Sequence, residues 1–133
     1  MKKVFVSICI ASTVLAMFSC RSVEKAVPLA SINGEWNIIE VNGSKVTPGE
    51  SRNLPFITFD TATGRLSGNS GCNRMMGSFD VNAKPGSIDF KGIAGTKMMC
   101  PDMTTEKNVL SALAQVKGYK KAGKGKMYLC NAS

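Results

Sequence analysis

Histidine is missing from this chain altogether. With it go Ser-His-Asp and Cys-His catalysis, imidazole general bases and His-based zinc sites. Acidic residues are scarce too, nine against seventeen Lys and Arg, for a net charge of +8. No apolar run is long enough to cross a bilayer. The uncharged run before Cys20, 4–19, has sixteen residues, whereas a spanning helix needs about 20. Aromatic residues are sparse, with one Trp and two Tyr.

What is present at the N-terminus fits export. Lys2 and Lys3 precede the uncharged stretch, Ser19 supplies a small residue, and Cys20 follows. A basic start, a short apolar segment and a small residue before a break describe a secretory leader, residues 1–19. The position of Cys20 is that of a lipidated cysteine, although Met17 and Phe18 depart from the aliphatic residue usual three places before it. Several acyl chains on Cys20 anchor far better than one. Residues 20–31 then read as lipidated N-terminus and tether. Its eleven residues from Arg21 to Ser31 reach about 35 Å when extended. Cleavage leaves 133 − 19 = 114 residues and a charge of +8 − 2 = +6. Basic charge serves nucleic acid, anionic lipid or an acidic partner, and export removes nucleic acid from the expected partners.

The rest of the chain, 32–133, reads as one sheet-rich domain. β-Formers fill 34–41, and Asn42-Gly43 is a hairpin signal leading to Lys45-Val46. Further strands are expected at 55–59, 65–68, 78–81, 87–90 and 93–98, with a last hairpin from 119–121 and 126–129. One segment has helical period. Val109, Leu110, Leu113 and Val116 form a stripe between Thr104 and Lys117, with Asp102 or Thr104 as cap and Gly118 as stop. The expected class is α+β, mostly antiparallel β as a sheet or partial barrel, with one packed amphipathic helix. Five lysines between Lys117 and Lys126 make either a basic patch or a solvated hairpin edge.

Three cysteines remain in the domain: Cys72, Cys100 and Cys130. An oxidising compartment makes a disulfide the default for two of them. Cys72, Met75, Met76, Met98, Met99 and Cys100 also offer soft donors to Cu(I). Against that reading, consecutive methionines point to opposite faces of a strand, so only half converge. No metal or cofactor is expected. No nucleophile–base pair stands out, so no catalytic residue is assigned, and Asp60, Asp80 and Asp89 read as surface residues. A Ser-Lys dyad stays open.

Two stretches are specific: Ser67-Gly68-Asn69-Ser70-Gly71-Cys72-Asn73-Arg74-Met75-Met76-Gly77-Ser78-Phe79 and Ile93-Ala94-Gly95-Thr96-Lys97-Met98-Met99-Cys100-Pro101. Together with Gly34-Glu35-Trp36 and Val41-Asn42-Gly43 they resemble the META domain, or HslJ-like, family of small envelope proteins, over about residues 32–130. The resemblance implies a compact antiparallel domain with a packed helix. It also implies an envelope role tied to heat shock and tolerance of novobiocin-type antibiotics, and a likeness to the pilot lipoproteins that escort secretins. It brings no enzymatic site. Relatives run on from a segment like Lys126–Leu129 into one more strand; with the sequence ending at Ser133, an open sheet edge is expected.

Within the motif, Gly68, Gly71 and Gly77 are read as bracketing a tight polar turn. Asn73 holds that turn through its own backbone, and Arg74 is read as bonding carbonyls or a carboxylate across the sheet. Cys72 and Cys100 sit at matched positions, each beside a Met pair, and are paired on that ground. Thr96, Lys97 and Met98 complete the structural motif. An apolar groove between the helix and the sheet, lined by Val109, Leu110 and Leu113, is the expected ligand site. The functional expectation is a monomeric, lipid-anchored binding or structural module on the outer membrane, facing an envelope protein or an apolar ligand. The alternatives are a pilot-like chaperone and soft-metal or redox handling.

Overall fold

The Asn42-Gly43 pair turns the chain as its residue types dictate. Both residues have positive φ, 52° and 81°, the geometry of the tight hairpin turn whose twist matches its strands. The turn joins β2 (Gly34–Val41) to β3 (Ser44–Lys45). The computed structural model describes residues 2–6, 27–48, 53–123 and 125–131. Cys20 and the tether before Val27 lie outside the described residues.

The remaining strands are β1 (Lys2–Val6), β4 (Phe56–Asp60), β5 (Arg65–Asn69), β6 (Arg74–Phe79), β7 (Phe90–Gly95), β8 (Gly118–Lys121) and β9 (Lys126–Cys130). One helix, α1 (Thr104–Ala114), stands between β7 and β8. The sheet runs β7-β6-β5-β4-β2-β1-β9-β8, with β3 beside β2. All pairings are antiparallel except those of β1, which lies parallel to both β2 and β9. The fold is thus α+β and mostly antiparallel. Among the described residues the sheet does not close into a barrel, and one isolated bridge, Ser87 to Gly118, ties β8 to the segment before β7.

Alternation decides which face is buried. Ile57 and Phe59 of β4 point inward while Phe56 and Thr58, which alternate with them, stay half-buried, the period-two pattern of a half-covered sheet. Leu66, Met75, Phe79, Ile88 and Leu129 join them. Phe59 meets Phe79 edge-on at 5.8 Å and stacks on Phe90 at 5.9 Å. Helix α1 lays Val109, Ala112 and Leu113 into the same core.

Several elements differ from their sequence expectation. The strand expected at 78–81 starts earlier, at Arg74, and ends at Phe79, because Asp80 turns the chain by accepting from Asn82 N at 2.8 Å. No separate strand forms at 87–90. Ile88 N bonds Lys117 O at 3.1 Å, so the segment crosses to β8 before β7 begins at Phe90. The helix stops at Ala114 rather than Lys117, since Lys117 N bonds Cys130 O at 2.7 Å and the chain has joined the β9 ladder. The open edge expected beside β9 is covered. Lys2–Val6, read from sequence as part of a leader, pairs there, and Val4 is fully buried.

Candidate functional site

The two motif stretches meet at one end of the sheet, where the β5–β6 turn packs against the start of α1. Residues 70–73 form the turn. Ser70 N donates to Asn73 O at 3.0 Å, and Gly71 N donates to Asn69 Oδ1 at 2.8 Å. Gly71 lies at φ +132°, and a Cβ there would stand 3.1 Å from Glu106 N. The turn can therefore sit this close to the helix only with glycine at that position.

Cys72 and Cys100 are joined in a disulfide, with Cα atoms 6.0 Å apart across a separation of 28 residues. This is the pairing expected. Cys130 is buried at the end of β9, outside that bond.

Beside the disulfide lies a buried polar knot whose centre is Glu106. Its Oε1 accepts from Ser70 Oγ at 2.7 Å, Asn73 N at 2.6 Å and Cys72 N at 3.4 Å. Its Oε2 accepts from Asn73 Nδ2 at 2.8 Å. Burial is the largest single influence on this carboxyl and pushes its pKa up. The Ser70 hydroxyl, the Asn73 side chain and the two backbone N–H groups together outweigh it, so the group sits below its ordinary value of 4.5. Its place in the first turn of α1 adds the favourable end of the helix dipole.

Asn73 is satisfied at every polar atom of its amide. Nδ2 donates to Glu106 and to Met98 O at 3.0 Å; Oδ1 accepts from Thr96 Oγ1 at 2.9 Å and Met98 N at 2.6 Å. A side-chain amide offers two donors and two lone pairs, and all four are used. Thr96 Oγ1 in turn accepts from Arg74 N at 3.1 Å. One asparagine therefore ties the turn, the 96–98 segment and the helix together.

The chemistry of the knot is that of a brace. Ser70 is buried and donates to a carboxylate held in its ionised, weakly basic form, the opposite of a base poised to take a proton. The disulfide consumes the two thiolates that soft-metal binding would use. Met75 is buried in the core, whereas Met76, Met98 and Met99 are exposed. No cluster of three His, Cys, Asp or Glu side chains suited to a metal occurs among the described residues.

The motif residues divide in space. Asn73, Thr96 and Met98 meet in the knot. Lys97 is exposed on the same segment. Gly68 and Gly77 do not bracket the turn as expected: Gly68 is within β5 and Gly77 within β6. A Cβ on Gly68 would overlap Phe56 O of β4. The Arg74 side chain is exposed and makes no hydrogen bond or ion pair among the described residues, while its backbone N donates to Thr96 Oγ1. Val109 and Leu113 are fully buried and Leu110 packs against the core. They fill the expected groove rather than line it. Open cavities lie elsewhere. One of about 460 Å³ is bounded by Trp36, Tyr119, Met127, Lys120, Lys121 and Lys126, among others. Another, of about 340 Å³, abuts the disulfide and Glu106.

The sequence pattern did not single out Glu106 as a hub. The signal was there: Glu106, Val109, Leu113 and Val116 fall at i, i+3, i+7 and i+10, so the acid lies on the buried stripe.

The META domain family model matches residues 27–133, the stretch that holds the turn, the disulfide and the helix. The chain belongs to the META domain family. Among solved structures, it is similar to a protein of Burkholderia xenovorans determined by NMR. The two are 29% identical over 59% of this chain and 58% of that one, with a TM-score of 0.46. The match thus spans less than two thirds of that relative. No curated protein matches the chain.

Proposed function

We propose that this META domain protein is a non-enzymatic envelope protein, anchored by lipid on Cys20 and serving as a binding or structural module in stress or antibiotic tolerance. The observation that carries the reading is the Cys72–Cys100 disulfide. Such bonds persist in oxidising compartments outside the cytosol, in agreement with a leader at residues 1–19. The structural role is supported by how the motif is spent: its polar atoms bond one another. Fractionation of cells making the chain with Cys20 or with Cys20→Ser tests the anchor. The native chain should sediment with the outer membrane and be released by detergent. The variant should be soluble. Equal solubility of both overturns the anchor, and covalent labelling of a serine by a broad serine-hydrolase probe overturns the non-enzymatic role.

A second reading, a pilot-like chaperone that holds a peptide, is favoured by one feature. A short N-terminal strand is seated between β2 and β9.

A further inference from the structure

The cavity of about 460 Å³ beside the last hairpin has two unlike parts. Its floor is apolar: Trp36, Tyr119 and Met127, each 5% exposed or less. Its rim is cationic: Lys120, Lys121 and Lys126, all exposed. Lys120 Nζ stands 5.6 Å from the centre of the Tyr128 ring, an attraction that keeps this ammonium group near the hairpin. Among the described residues no acidic side chain borders the cavity, and none occurs in the sequence after Glu106. Lys117, at the foot of the hairpin, is paired with Asp89 at 3.1 Å. Lysines on a sheet edge guard against pairing with other chains. That purpose needs no cavity and no apolar floor beneath the charges. A space of this volume, with an aromatic floor and an ammonium rim, has the size and polarity of a site for an anion joined to an apolar body.

The segment that follows Cys20 reaches the domain at the same place. Val27 lines the cavity, and its carbonyl accepts from Tyr119 Oη at 2.9 Å. Val27 is 27 − 20 = 7 positions from Cys20, a span of about 25 Å at full extension. A lipid on Cys20 therefore keeps the rim within that distance of a bilayer. Resting on the anchor reading for its choice of partner, we propose that this cavity binds the phosphate-bearing headgroup of an anionic phospholipid in the membrane. Lys120, Lys121 and Lys126 hold the phosphate, and the apolar floor meets the start of the acyl chains. Clustered lysines close to a lipid anchor are drawn to anionic bilayers in this way, and an anchor combined with a basic patch holds far better than either alone.

The test uses the full chain with Cys20→Ser, so that no covalent lipid contributes, and vesicles of phosphatidylcholine with or without phosphatidylglycerol. Trp36 is the only tryptophan in the chain, so its emission reports on this cavity. Vesicles containing phosphatidylglycerol should bind the protein, and a nitroxide on their headgroups should quench Trp36. A lysine near an anionic surface strengthens binding about five-fold, so Lys120→Gln, Lys121→Gln and Lys126→Gln together should weaken it roughly a hundred-fold and remove the quenching. Lys45→Gln, Lys84→Gln and Lys91→Gln take away the same charge at exposed lysines that do not border the cavity, and should weaken binding no more than about five-fold. Equal losses in the two triple variants overturn the site, as do unquenched Trp36 and equal binding to phosphatidylcholine alone. Inorganic phosphate at constant ionic strength should leave the vesicles bound; displacement means that the cavity takes free phosphate and overturns the membrane lipid as occupant. Lipid on Cys20 is read separately, from the mass of the native protein taken from the envelope. An unlipidated Cys20 with charge-dependent vesicle binding sinks the anchor and supports the site, and a lipidated Cys20 without such binding sinks the site and leaves the anchor standing.

Discussion

Replacing Asn73 by Asp tests the buried knot at its most sensitive atom. The change is nearly isosteric, so packing is preserved. It turns Nδ2, which donates to Glu106 Oε2 at 2.8 Å and Met98 O at 3.0 Å, into an acceptor facing two acceptors. Two carboxylates at that distance cannot both stay ionised, and the pair takes up a proton. Holding a proton at pH 7 on a carboxyl of ordinary pKa near 4 costs about 4 kcal/mol, at roughly 1.4 kcal/mol per unit. The unsatisfied Met98 carbonyl adds about 1 kcal/mol. A deficit of about 5 kcal/mol at pH 7 is therefore expected, a large share of a typical domain's stability. The sign with pH is set by the same proton. The folded variant binds it and the unfolded chain does not, so stability of the variant rises as pH falls, by about 1.4 kcal/mol per unit between pH 7 and 5. Urea unfolding of both proteins at pH 7, 6 and 5, with the disulfide intact, measures this. A deficit under about 1 kcal/mol at pH 7, or one that does not shrink on acidification, refutes the account of Asn73 as donor to an ionised Glu106.

The native protein should behave oppositely. Because the Glu106 carboxyl is held below its ordinary 4.5, its contribution is complete above that value and is lost as pH falls through the folded-state pKa; acid titration of urea midpoints should show the loss, and Glu106→Gln should abolish it while costing about 3 kcal/mol at pH 7. Removing the disulfide with Cys72→Ser and Cys100→Ser should cost about 3.5 kcal/mol, from the loop closed by a 28-residue separation, read by the same unfolding curves. Leu113→Ala, at a fully buried site in α1, should cost about 3 kcal/mol through the cavity it leaves. Met99→Lys, 87% exposed, should stay within about 0.5 kcal/mol of the native protein.

Local signals were legible wherever one rule acted alone. Asn42-Gly43 announced its hairpin, alternation announced β4, and the Val109–Leu113 stripe announced α1. Misreadings arose where a long-range bond outweighed local pattern. Residues 87–90 alternate like a strand, yet Lys117 and Gly118 capture them from β8. Gly68 and Gly77 look like turn residues, yet they lie within strands. The knot was half visible. Its residues were all in the motif except Glu106, whose role depends on α1 docking against a turn some thirty residues upstream. The seat of β1 was not legible at all, because no local pattern tells the basic and apolar start of a leader from a strand that pairs with two distant ones.

The central claim is an exported, lipid-held domain whose motif residues are spent on bracing the fold. Mass spectrometry of the native protein taken from the envelope tests it most directly. The account predicts an N-terminal peptide beginning at Cys20 and carrying thioether-linked diacylglycerol, together with a Cys72–Cys100 cross-linked peptide. An unmodified chain still carrying Lys2–Val6, or Cys72 and Cys100 recovered as thiols, contradicts it.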